Sequence, residues 1–65
     1  GSVKMIEMKD NIICVGIGQE VHFITATGRL IKKYTTTMDI KEVLIYDNGN
    51  HAALVYRNKI EIINI

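Results

Sequence analysis

Turn-forming residues punctuate this chain so closely that only short extended segments fit between them. Asp10-Asn11, Gly18-Gln19, Ala26-Thr27-Gly28, Thr36 to Asp39, Asp47 to Asn50 and Asn58 separate seven runs rich in Ile, Val, Tyr, Phe and Thr. The runs are Val3 to Lys9, Ile12 to Ile17, Glu20 to Thr25, Arg29 to Thr35, Ile40 to Tyr46, His51 to Arg57 and Lys59 to Ile65. β-Branched and aromatic side chains suit a pleated surface, so each run reads as a strand. Ile40 to Tyr46 has some helical character, but it is short and its β-branched residues favour the strand. Connections this short join only antiparallel neighbours, because a parallel pair needs a long crossover. The expected fold is all-β, an antiparallel meander of seven short strands.

Period-two alternation separates the faces of two strands. Val21 and Phe23 share one face of theirs, with Glu20 and His22 on the other, and Ile60 and Ile62 are likewise set against Glu61. Ile12 to Val15 and Ala52 to Val55 are apolar on both faces, the pattern of interior strands covered from both sides.

Sixty-five residues allow one domain, and a chain this short buries only about 60% of the surface it exposes when unfolded. Small folds commonly add disulfides, a metal or a partner subunit. Cys14 is the only cysteine, which rules out an intrachain disulfide. It lies in the apolar run Ile12-Ile13-Cys14-Val15, where a buried, reduced thiol is expected, in keeping with a cytoplasmic setting. The net charge of +1 carries no electrostatic footprint for nucleic acid. No apolar stretch is long enough for a membrane helix, and no signal-peptide pattern opens the chain. Gly1-Ser2 reads as the remnant of a cleaved tag, leaving residues 3–65 as a single β module.

Shifting the chain by thirty-nine positions lays one part of it on another without a gap. Met5-Ile6 falls on Leu44-Ile45, Asn11 on Asn50, Cys14-Val15 on Ala53-Leu54, and Val21 to Ile24 on Ile60 to Ile63. The match is one of residue classes, and it suggests repeats over 3–41 and 42–65. A four-strand unit recurring about every forty residues has the period of propeller blades.

On these residues the chain resembles a β-propeller of the WD-repeat kind, over about one and three-quarter blades. Asp47 to Val55 looks like the turn and second strand of a blade, and Lys59 to Asn64 like its third strand. Thr27 to Tyr34 is similar to the turn into an outermost strand. The Trp-Asp pair that ends such third strands is replaced by Ala26-Thr27 and Asn64-Ile65, and the opening Gly-His is missing. No signature residue therefore carries over. The resemblance implies a protein-interaction scaffold without a cofactor. The alternative is an independent β-barrel or sandwich of SH3-like size that binds a peptide or nucleic acid.

The chemistry-bearing residues point away from catalysis. His22 and His51 have no Cys, Asp or Glu at metal-ligand spacing and read as solvent-facing or locally hydrogen-bonded. Cys14 lacks the base and orienting group that a nucleophile needs. Asp39, Glu42, Asp47 and Glu61 fall in turns or on outward faces, where solvation accounts for them. Gly16-Ile17-Gly18 is not followed by Gly-Lys-Ser/Thr, so it is no phosphate loop, and Gly18 supplies a positive φ.

Two groups remain as candidate contact sites. Arg29, Lys32, Lys33 and Tyr34 form the one basic-aromatic patch, although alternation separates Lys33 from Lys32 and Tyr34. Ile60, Ile62, Ile63 and Ile65 make a terminal strand that is apolar on both faces, an edge suited to recruiting another chain. The expected partner is thus a protein or a second copy; neither nucleic acid nor a membrane is indicated.

Overall fold

A computed structural model describes the backbone of residues 3–65, with side chains from Met5 onward. It contains seven strands: β1 (Val3–Lys9), β2 (Ile12–Ile17), β3 (Glu20–Thr25), β4 (Leu30–Thr35), β5 (Glu42–Tyr46), β6 (His51–Val55) and β7 (Ile60–Asn64). They form two antiparallel meanders, a four-stranded sheet in the order β1-β2-β3-β4 and a three-stranded sheet in the order β5-β6-β7. No ladder joins the two sheets among the described residues, so the chain is not the closed barrel raised as an alternative. The physical reason lies in the longer β4–β5 connection, Thr36 to Lys41, which carries the chain from one layer to the other.

Tight turns set the register of the hairpins. Asp10 and Asn11 have φ of 52° and 63°, so both central residues of this two-residue loop are left-handed, as a type I′ hairpin requires. Gly18, at φ 60°, opens the β2–β3 loop in the same region, as its sequence position suggested. In the β5–β6 loop Asp47, Asn48 and Gly49 all take positive φ, and the Asn50 N–H closes the turn on the Asp47 carbonyl at 3.0 Å.

Thr36 anchors the connection between the sheets. Its N–H donates to the Gln19 carbonyl at 2.7 Å, and its hydroxyl lies 2.9 Å from the Met38 carbonyl. This pairs the polar groups of a buried threonine.

The sheets pack face to face around one core. Cys14, Val21 and Phe23 of the first sheet meet Val43, Ile45, Ala52, Leu54 and Ile63 of the second, with Tyr56 closing one end. The layers come closest at β1 and β5. As expected, Phe23 lies in the core and β2 and β6 are interior strands, as is β3, but the cover expected on both faces of β2 and β6 is present on the inner face only. On β7 the alternation holds, but its sense is decided by packing. Ile63 turns inward beside Ala52, while Ile60 and Ile62 face out. Glu61 therefore lies on the inner face beside Leu54, not on an outward face. It is tolerated there because two tyrosine hydroxyls donate to its carboxylate.

Candidate interaction surfaces

The side chains that would have to carry catalysis are each accounted for locally. Burial pushes the Cys14 thiol up to about 12, with the Glu7 carboxylate adding to the effect, so it stays protonated at neutral pH. His22 Nε2 lies 3.0 Å from Glu20 Oε1, and His51 Nδ1 lies 2.9 Å from Asp47 Oδ2. The His51 ring also stacks on Tyr46, with centroids 5.5 Å apart. Among the described residues no three His, Cys, Asp or Glu side chains gather at metal-binding distance. Nor, among the described residues, is any helix long and apolar enough to cross a membrane.

The basic-aromatic patch is divided between two faces. Lys32 sits opposite Phe23 and Tyr34 opposite Val21, both on the inner face, whereas Lys33 lies on the outer face opposite His22. Lys33 Nζ reaches to 3.8 Å from Glu20 Oε2. The His22 ring and this ammonium, in that order, hold the Glu20 carboxyl below the usual range. Arg29 is exposed in the turn before β4, where its N–H donates to Thr25 Oγ1 at 3.0 Å. The four residues are not brought together on one surface.

Tyr34 has a different task. Its hydroxyl donates to Glu61 Oε2 at 2.8 Å, and the Tyr56 hydroxyl donates to Glu61 Oε1 at the same distance. One carboxylate thus bridges β4 of the first sheet, β7 of the second and the turn between β6 and β7. The two donors hold the Glu61 carboxyl below its usual range, Tyr34 contributing most. In return the Tyr34 hydroxyl is pushed up, chiefly by this bond, and that of Tyr56 is raised first by burial.

The outer faces of both sheets carry exposed apolar rows. On the first, cross-strand pairing aligns Ile6 with Val15, and Met8 with Ile13 and Ile24, beside the bulge at Leu30 and Ile31. Ile6 is 64% exposed and Met8 70%. On the second, Leu44, Ala53 and Ile62 form one row and Val55 pairs with Ile60 in the next. Ile60 is 64% exposed and Ile62 56%. On each sheet these exposed side chains are neighbours across the strands, and contiguous exposed apolar surface is where interaction sites are found. A groove of about 400 Å³ runs between β1 and β5, and Met8 and Leu44 from the two outer faces both line it.

The terminal-strand group is split accordingly. Ile60 and Ile62 belong to the outer face, Ile63 is buried in the core, and Ile65 packs partly against it. The outer face of the first sheet was not singled out from the sequence. Its signal was the two-sided apolar character of Ile12 to Val15, which the fold covers on one side only.

Comparison with known protein families, with characterised proteins and with solved structures finds no match for this chain.

Proposed function

We propose that this chain is a non-enzymatic protein-interaction or scaffold module, a β-propeller-like unit that works by association. The observation that carries the reading is the pair of apolar outer faces on a two-layer β fold, with Ile6, Met8, Ile60 and Ile62 all more than half exposed. Exposed apolar area of this extent is costly in a small domain unless a partner covers it. The protonated, buried Cys14 and the locally paired histidines support a role without covalent or metal chemistry. A nucleic-acid role fits less well. Lys33 neighbours a carboxylate, and the Tyr34 hydroxyl is engaged with Glu61.

Sedimentation velocity across a wide concentration range tests the reading. The expected result is a mass that climbs from the 7.4 kDa of one chain to a defined larger species. A chain that sediments as a monomer throughout would contradict it.

A further inference from the structure

The thirty-nine-residue offset relates the faces of the two sheets as well as their strands. It carries Met5, Cys14, Val21 and Phe23, on the inner face of the first sheet, onto Leu44, Ala53, Ile60 and Ile62, on the outer face of the second. It carries Ile6, Ile13, Val15 and Ile24, on the outer face of the first sheet, onto Ile45, Ala52, Leu54 and Ile63, on the inner face of the second. Every apolar position in these two sets has an apolar counterpart. The match fails at Val43, which falls on Lys4, at Ile12, which falls on His51, and at Met8, which falls on Asp47, but the central rows of the internal interface recur across the two faces left open.

From this we infer that a second copy of the chain docks head to tail, the outer face of its second sheet covering the outer face of the first sheet. The inference rests on the reading of the chain as an associating module. It continues the packing that already joins the two sheets inside one molecule, with the same residue classes in the same rows.

Shape argues for this pairing over a two-fold one. Ala53, in the middle of the second sheet's outer face, offers a recess flanked by Leu44 and Ile62. The branched side chains of Ile13 and Val15 stand at the centre of the opposing face and fill such a recess. Pairing the first sheet's face with itself would set these bulky groups against one another, with no small residue between them. Charged groups stand at the ends of these rows: His22 and Lys33 continue the row of Ile6 and Val15, and Glu42 ends the row of Val55 and Ile60. Ile13 and Ile24 on one face, and Leu44, Ala53 and Ile62 on the other, pair only with apolar neighbours.

The geometry has a consequence for size. A contact confined to one such face is small beside the roughly 1,600 Å² of a standard interface. Heterologous contacts leave one open face at each end of a pair, so copies add until the rotation closes a ring or a filament grows. Closure uses both faces of every copy, which favours a defined oligomer over the dimer.

Mixing two singly blocked variants tests the arrangement. Ile6→Lys blocks only the first sheet's outer face, and Ile62→Lys only that of the second. Both side chains are exposed, and circular-dichroism melts check that each variant folds. Met8→Glu and Ile60→Glu form a second pair should either of the first fail to fold.

Sedimentation velocity is expected to show an oligomeric parent, two monomeric variants, and a one-to-one pair that grows no further when the variants are mixed. If the parent associates but either variant alone still does, or the mixture stays monomeric, head-to-tail docking is overturned while the interaction-module reading stands. A parent that never associates overturns both.

Discussion

The Tyr34 hydroxyl on β4 donates to Glu61 on β7 at 2.8 Å, joining the two sheets through a single carboxylate. Tyr56 donates to the other oxygen of the same group. These hydrogen bonds favour the ionised carboxyl, so its pKa in the folded chain lies below the unfolded value. The resulting stability is fully present above the unfolded pKa and is lost as pH falls through the folded one. Thermal melts should therefore weaken on acidification below about pH 4.5, the ordinary carboxyl value. Glu61→Gln should be less stable than the parent at neutral pH and should flatten that acid limb. An unchanged acid limb in the variant would mean that other carboxylates set it.

Phe23 is fully buried at the centre of the contact between sheets. Truncation to alanine should cost about 3–5 kcal/mol, counting both lost transfer energy and the cavity left behind. A domain of this length has a stability of roughly 3–10 kcal/mol. Phe23→Ala should thus lose most or all of its cooperative melt, followed by circular dichroism. A melt like that of the parent would place Phe23 outside the core.

Two glycines should respond differently to alanine. Gly49 has φ 83°, and an added Cβ would lie 3.0 Å from Ile12 Cγ1 across the layer. Gly49→Ala should cost about 1–2 kcal/mol from the left-handed backbone, with the contact adding to it. At Gly16 an added Cβ meets the flexible Met5 side chain at 2.7 Å, with no positive φ to oppose it. Gly16→Ala should be milder, because Met5 can move aside. Urea titration of the two variants measures the order, and equal losses would contradict it.

Cys14 should be silent to thiol reagents in the native chain at neutral pH. Its thiol is buried and held protonated, with a pKa near 12. Labelling should proceed only through opening of the sheets and should accelerate in urea along the unfolding curve. Prompt stoichiometric labelling of the folded chain would show that β2 is accessible.

Much of this fold was legible from local chemistry. The Asp10-Asn11 and Gly18-Gln19 turns defined β2 and framed its neighbours, and the ends of β1, β2 and β3 fell where the turn residues placed them. Later boundaries drew in by one or two residues. For example, the Tyr56 N–H donates to the Lys59 carbonyl and makes Tyr56 part of a turn.

The direction of β7 was not legible, for a physical reason. Ile60, Ile62 and Ile63 are apolar on both faces of that strand, so alternation separates the faces without ranking them. Its resolution depends on Tyr34, twenty-seven residues away from Glu61, and no local pattern reports such a contact. The open outer faces were visible only indirectly, as interior strands with more apolar residues than one layer of cover uses.

The most direct test of the account is whether those outer faces become covered. Isoleucine δ-methyl NMR with a soluble paramagnetic agent reads the exposure of Ile6 and Ile62 against that of buried Ile63. The Ile6 and Ile62 signals should be strongly broadened by the agent in dilute solution. They should become protected together as concentration rises, while Ile63 stays protected throughout. Ile6 and Ile62 broadened equally at every concentration, with the chain folded, would contradict it.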